Sequence, residues 1–151
     1  MKTMIDREIF DYNEANSILT AKGLLKELND SLDEATEVSH RVIQNLLAQR
    51  GWELERQVCQ GVTQRWDACK DQVIVTIEFS TIDAIHRDFF RALMLNNKGT
   101  LDVLVCIIST AKEPTFKSVK NNIQIFRQIL TFPILLIGIE KIRMSDCATS
   151  H

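Results

Sequence analysis

The sequence predicts an α/β fold with a mixed central sheet flanked by helices, and three observations support it. Apolar residues recur at helical spacing before Gly51, and the pattern then alternates with a period of two. Two strongly apolar runs follow, Leu101–Ile108 and Ile134–Ile139. The resulting order, α-α-β-β-β-α-β-α-β, describes a three-strand antiparallel meander followed by an α-β-α-β unit.

The first part of the chain predicts two amphipathic helices. Leucine and isoleucine follow a period near 3.6 across Glu14–Leu32, with Gly23 as a weak point. Asn29–Ser31 suggests a break or a cap, and a second apolar stripe extends across Asp33–Arg50. Gly51 follows where a C-cap glycine belongs.

The meander is predicted from three short stretches with the composition of strands. Trp52–Val58 alternates polar and apolar residues, Thr63–Ala68 follows a turn at Gly61, and Val73–Phe79 is rich in β-branched side chains. A polar turn at Lys70–Gln72 joins the second stretch to the third.

The remaining elements are two helices and two buried strands. Helical spacing over Ile82–Asn96 ends at a strong stop signal, and the helix predicted over Phe116–Thr131 ends before Pro133. The two apolar runs that follow these helices lack polar alternation, which is typical of strands covered on both faces. We therefore expect them to be neighbours near the sheet centre.

Length and composition indicate one globular domain. The chain has 151 residues, 45% hydrophobic, with a formal net charge of −2. We divide it into N-terminal helices (10–50), a core (51–142) and a frayed tail (143–151). The charge excludes a strongly basic nucleic-acid binder, so any such binding must rest on a local patch. No apolar run suits a membrane span, and the charged N-terminus does not resemble a signal peptide, so we expect a soluble, cytoplasmic protein.

One candidate site lies on the predicted hairpin. A turn at Asp71–Gln72 places Asp67 directly across from Thr76, and Glu78, two residues further on, shares that face. Two carboxylates on a half-buried face repel each other unless a cation or a proton joins them. One divalent ion could therefore bridge Asp67 and Glu78. The alternative is a solvated sheet face on which scattered acids have no function.

The sequence also resembles a known family. The stretches GWELERQV, RWDACKDQVIVTIEFS and IHRDFFRALMLNNKGTLDVLVCIIST resemble the PD-(D/E)XK nuclease fold, and more narrowly the type II restriction endonucleases of the BglII and BstYI group. The resemblance covers Phe10 to Ile139. It implies a restriction-endonuclease-like fold, double-stranded DNA as partner, a homodimer, and Mg²⁺ or Mn²⁺ as cofactor.

The resemblance also implies roles for individual residues. In one register Asp67 takes the place of the first acid, Thr76 that of the second, and Glu78 that of the residue that positions or activates water. A second register uses Glu78 as the acid and Ser80 as the third residue. Asp67 and Glu78 hold the metal in either case. Thr76 is a weak, neutral ligand for Mg²⁺, so the first register implies a weakened nuclease.

Basic residues near the hairpin are candidates for phosphate contacts, and the alternative is ordinary surface charge. They are Arg56, Arg65, Lys70, Arg87 and Arg91. The first functional hypothesis is a Mg²⁺-dependent DNA endonuclease. The others are a catalytically inactive DNA- or protein-binding module, and an oligomeric interaction module that has kept only the scaffold.

Overall fold

The computed structural model of the protein describes residues 3–61, 63–111 and 113–143. Its strands are β1 (Thr3–Tyr12), β2 (Glu53–Gln57), β3 (Arg65–Lys70), β4 (Val73–Glu78), β5 (Val103–Ser109) and β6 (Ile134–Arg143). Its helices are α1 (Ala15–Ala21), α2 (Leu24–Glu34), α3 (His40–Gln49), α4 (Ile82–Asn97) and α5 (Phe116–Ile125).

The strands form one mixed sheet in the order β1-β6-β5-β4-β3-β2. The strands β4, β5 and β6 are parallel to one another. The strand β3 pairs antiparallel with β4, β2 pairs antiparallel with β3, and β1 pairs antiparallel with β6. The predicted fold class is confirmed, with its meander and its two adjacent apolar strands. Val103, Val105 and Leu135 are fully buried, as expected for central strands.

Helices cover both faces of the sheet and create two apolar layers. The helices α1, α2 and α3 pack against one face, which includes Val75 and Ile77 of β4. The helices α4 and α5 pack against the other face, which includes Ile74 of β4. Burial on both sides explains why β5 has no polar alternation.

The N-terminal region differs from the prediction. Helices were expected over 10–50, but β1 occupies Thr3–Tyr12 and forms an edge of the sheet. Gly23, with a φ of 73°, separates α1 from α2, so the helix expected over Glu14–Leu32 is two helices. The expected break at Asn29–Ser31 is wrong, because these residues lie within α2.

The next helix begins later than predicted. It was expected from Asp33, but α3 begins at His40, where the hydroxyl of Ser39 accepts a hydrogen bond from the Val42 amide. Its end is as predicted, since Gly51 has a φ of 87° and follows the helix.

Two further expectations concern the chain's ends and membranes. The tail predicted at 143–151 lies outside the described residues except for Arg143, the last residue of β6. Within the described residues, no helix combines the length and apolarity needed to span a bilayer.

Candidate active site

The candidate site begins where the sheet stops pairing regularly. The β3–β4 register follows the prediction from the turn, where Asp71 and Gln72 both have positive φ, to the pair Ala68–Val75. Regular pairing of these two described strands stops there, so the predicted pairing of Asp67 with Thr76 is wrong and Asp67 lies where the strands diverge. Glu55, with a φ of 56°, interrupts the β2–β3 pairing opposite Asp67.

The Asp67 carboxylate is held by two elements. Its Oδ2 accepts a hydrogen bond from the backbone N–H of Ile77 at 2.6 Å, and its Oδ1 lies 2.7 Å from Nε2 of His40. This hydrogen bond raises the pKa of the His40 imidazole. Gln44, one turn further along α3, donates to the Asp67 carbonyl at 2.9 Å. The start of α3 therefore fixes this acid against the edge of β4.

Thr76 and Glu78 lie on the face of β4 that α4 covers, opposite Val75 and Ile77. This alternation is as predicted. Thr76 is only 2% exposed, and among the described residues its hydroxyl has no hydrogen-bond partner. Its neighbour on β5 is Cys106, whose thiol is at best a weak partner.

Glu78 and Asp67 lie close enough to influence each other. Burial raises the pKa of the Glu78 carboxyl, and the negative charge of Asp67 raises it further. The His40 imidazolium opposes this shift to a smaller extent. Asp67 contacts the amide of Ile77, the residue before Glu78, so the two acids are near each other, whereas Ser80 lies beyond β4 at an exposed position.

Sequence reasoning missed two residues near this site, His40 and Asp88. Asp88 lies on the buried side of α4 and is 6% exposed. Burial, followed by the charge of Glu78, raises the pKa of its carboxyl to about 8. The sequence did contain one indication that Asp88 is buried. It lies three residues after Ile85 and four before Ala92, the spacing of the apolar stripe of this helix. His40 had no local signal, because it is 27 residues from Asp67.

The donor set consists of carboxylates, which are hard ligands suited to Mg²⁺ or Mn²⁺. In their present arrangement, no three histidine, cysteine or acidic side chains among the described residues converge on a point that could hold a metal.

The residues predicted to contact phosphates differ in exposure: three arginines face solvent, whereas Lys70 is bound within the protein. Arg87 is exposed on α4, and Arg56 is 62% exposed on β2. Arg65, also exposed, donates a hydrogen bond to the Glu55 carbonyl at 2.8 Å. Lys70 is instead engaged internally, because its ammonium contacts a Glu27 carboxylate oxygen at 2.9 Å and the Arg50 carbonyl at 2.7 Å. It would have to give up both contacts to meet a phosphate.

An apolar groove lies on the outer side of α4 and the turn after α5. We call it the apolar patch and define it by its exposed members, Phe90, Phe126 and Ile129. Their exposed fractions are 72%, 41% and 52%, whereas the adjacent Phe89 is buried. Exposed apolar clusters of this kind commonly mark contact surfaces.

Comparisons with known proteins agree with the fold and the sequence resemblance. A model of the restriction endonuclease BglII/BglIII family matches residues 7–139. The crystal structure of restriction endonuclease BglII complexed with a DNA 16-mer superimposes with a TM-score of 0.74 at 18% identity, over 88% of this chain and 77% of that one. A search of curated proteins finds no match. Because the family model spans most of the sequence, the chain belongs to the BglII/BglIII restriction endonuclease family.

Proposed function

We propose that this protein is a Mg²⁺-dependent DNA endonuclease that acts on double-stranded DNA as a homodimer. The observation that carries the proposal is the proximity of Asp67 and Glu78 at the diverging ends of β3 and β4. Membership of a restriction endonuclease family gives this acidic pair its chemical context. The similar crystal structure is that of a nuclease bound to a DNA 16-mer, which supports DNA as the partner.

The residues present fit a divalent cation. Glu78 is half-buried beside another carboxylate, and Asp88 has a buried oxygen without a partner among the described residues. Uncompensated negative charge in a partly buried site is costly, and a bound cation would remove that cost. Asp67 and Glu78 would hold Mg²⁺ or Mn²⁺, which when bound stabilises negative charge on a phosphate.

The chain's own groups have distinct tasks in this proposal. Asp67 is fixed by the Ile77 amide and by His40, so its carboxylate enters the reaction already oriented. Burial and the charge of Asp67 raise the pKa of Glu78, and a bound cation would offset this shift by favouring the ionised carboxylate. Thr76, or Ser80 in the second register, would orient that water.

Exposed arginines near the site would position the duplex. Arg87 lies on α4 and lowers the pKa of Glu78 slightly, which indicates that its charge reaches the acidic pair. Arg56 and Arg65 line an open groove of about 870 Å³ beside β2 and β3. Such contacts position DNA without reading its sequence.

The apolar patch provides a surface for a second copy of the chain. The two antiparallel strands of a palindromic duplex are related by a two-fold axis, so a symmetric dimer would place one site on each strand. Burial of Phe90, Phe126 and Ile129 against the partner would remove them from water. The thiols of Cys59, Cys69 and Cys106 are free, which is consistent with the reducing cytoplasm in which we place the protein.

The proposal is tested by incubating supercoiled plasmid with the wild type, Glu78→Gln and a control, Glu8→Gln, in Mg²⁺, Mn²⁺ or EDTA. Glu8 is an exposed acid on β1, at the opposite edge of the sheet, so its substitution matches the change in charge away from the site. We expect metal-dependent nicking by the wild type and the control, and a rate about 100-fold lower for Glu78→Gln. Nicking in EDTA, or unchanged nicking by Glu78→Gln, would contradict the proposal.

A second candidate function is DNA binding without cleavage. It is favoured by Thr76, a buried neutral residue at a position where the family resemblance implies an acid. Retarded migration of a duplex in a gel, without any nicking in Mg²⁺ or Mn²⁺, would support this alternative.

A further inference from the structure

Trp66 lines the open groove beside β2 and β3, and its indole N–H has no hydrogen-bond partner among the described residues. The residue is only 2% exposed. The second tryptophan of the chain, Trp52, is also buried, but its indole donates to Glu27 Oε1 at 2.9 Å. A buried donor without an acceptor is unfavourable and uncommon in native proteins, and a ligand is one source of the missing acceptor.

The buried residues that line this groove form an apolar floor. Besides Trp66, they include Ile74 of β4 and Leu95 near the end of α4, which are 5% and 8% exposed. The groove has a volume of about 870 Å³, and an apolar lining with a few polar groups is typical of ligand sites of this size. The floor therefore suits a planar group that carries an acceptor for the Trp66 N–H.

The rim of the groove carries more positive than negative charge. Its charged side chains are three exposed cations and two acids, Arg56, Arg65, Lys98, Glu53 and Glu55. Arg56 is the direct cross-strand partner of Trp66, so the two side chains lie on the same face of the sheet. Its contacts with Glu53 Oε2 and Cys69 Sγ are both 3.9 Å, too long to hold the guanidinium firmly. Arg56 is therefore available to an anionic group bound beside Trp66.

We propose that this groove binds one nucleotide, with the base on the apolar floor, an acceptor atom of the base at the Trp66 N–H, and the phosphate at Arg56. The choice of ligand rests on the proposed function, because a DNA partner presents this combination of planar base and anionic phosphate. A base inside a duplex is stacked and paired, so the occupant is either an unpaired nucleotide of the DNA or a free nucleotide.

The test follows the tryptophan indole N–H signals of the wild type in proton–nitrogen NMR spectra while thymidine monophosphate is added. The chain has two tryptophans, so Trp66→Phe identifies each signal, and Trp52→Phe gives the same assignment if the first variant does not fold. We expect a saturable shift of the Trp66 signal and an unchanged Trp52 signal, because the Trp52 indole is already bonded to Glu27. An unshifted Trp66 signal, or an equal shift of both, would overturn the inference.

Affinities measured by calorimetry separate the contact to the base from the contact to the phosphate. Trp66→Phe, which removes the donor and keeps an aromatic ring, should bind thymidine monophosphate about fivefold more weakly than the wild type. Thymidine, which lacks the phosphate, should bind the wild type about fivefold more weakly than the nucleotide does, and Arg56→Ala should have an effect of similar size. The control Arg127→Ala, at an exposed arginine after α5, should leave the affinity unchanged. Unchanged affinity in both Trp66→Phe and Arg56→Ala would contradict the proposed contacts.

A comparison of two duplexes identifies the source of the nucleotide. A duplex with one bulged thymidine should bind the wild type more tightly than a fully paired duplex, and Trp66→Phe should lose this preference. If thymidine monophosphate binds and the preference is absent, the occupant is a free nucleotide.

The outcomes also distinguish this inference from the proposed function. A wild type that nicks plasmid in Mg²⁺ without any response of Trp66 to the nucleotide would overturn the inference and leave the proposed function standing. A wild type that binds the nucleotide but neither nicks plasmid nor binds duplex would overturn the proposed function and leave a site for a free nucleotide.

Discussion

Ionisation of Asp88 should make the stability of the metal-free protein depend on pH in a way that Asp88→Asn removes. Burial and the charge of Glu78 raise the pKa of Asp88 from 3.8 to about 8. At pH values between these two pKa values, Asp88 holds a proton in the folded protein and has lost it in the unfolded chain. The free energy of unfolding therefore falls as the pH rises through this range. Each tenfold change in proton affinity corresponds to about 1.4 kcal/mol. At pH 8 the penalty in the wild type is therefore about 5 kcal/mol, and at pH 5 it is about 2 kcal/mol.

The assay is urea unfolding in EDTA at several pH values from 5 to 8. Relative to the wild type, Asp88→Asn should gain about 3–4 kcal/mol in free energy of unfolding across this range. His40 and Glu78 also have raised pKa values, but both remain in the variant, so their contributions largely cancel in the difference. The control Asp83→Asn, which removes an exposed acid from the same helix, should follow the wild-type curve. A constant difference between Asp88→Asn and the wild type at every pH would refute the reasoning.

Three further predictions concern packing, assembly and DNA contacts. A Cβ at Gly138 would lie 2.7 Å from Thr110 Cγ2 and 2.8 Å from Phe116 Cδ2. Because both contacts are too close, Gly138→Ala should lower the free energy of unfolding by about 1–3 kcal/mol. An unchanged midpoint of urea unfolding would contradict this prediction. Ile129→Lys should convert the dimer to a monomer in sedimentation experiments, whereas Ile9→Lys, at an exposed apolar position on β1, should leave the dimer intact. Persistence of the dimer in Ile129→Lys would exclude the apolar patch as the dimer interface. Arg87→Ala should weaken duplex binding and reduce the salt dependence of that binding. Lys70→Ala should lower the free energy of unfolding by about 2 kcal/mol and leave duplex binding nearly unchanged, because Lys70 is engaged inside the protein. The reverse pattern would contradict a DNA contact at Arg87 and a structural role for Lys70.

Local patterns in the sequence predicted the centre of the fold well. The apolar runs of β5 and β6 identified buried neighbouring strands, because a strand covered on both faces has no polar alternation. The turn at Asp71 and Gln72 fixed the register of the hairpin, which then determined which side chains of β4 share a face.

The edges of the fold were less accessible to sequence reasoning. The strand β1 carries charged residues such as Asp6, Arg7 and Glu8 and has no clear alternation, because it lies at the edge of the sheet and, of its described side chains, Ile5 alone is buried. Within α2, Ser31 and Asp30 resembled a cap. The Ser31 hydroxyl instead donates to the Glu27 carbonyl, and Asp30 pairs with Lys26 one turn earlier.

The candidate site was predictable only in part. Asp67 and Glu78 come from adjacent strands of one hairpin, so spacing indicated that they lie near each other, but the predicted pairing of Asp67 with Thr76 does not form. His40 and Asp88 approach from opposite layers of helices, and only tertiary packing places them there. The irregular backbone at Glu55, which opens the sheet beside Asp67, likewise has no signature in a single sequence.

The location of a bound cation tests the central claim most directly. In crystals of the protein soaked with Mn²⁺, an anomalous-scattering map would show the ion without reference to activity. We predict one peak between the carboxylates of Asp67 and Glu78, at oxygen distances of about 2.1 Å, as for other small, hard divalent cations. A map with no peak at this pair, or with Mn²⁺ bound only elsewhere on the protein, would contradict the proposed metal centre.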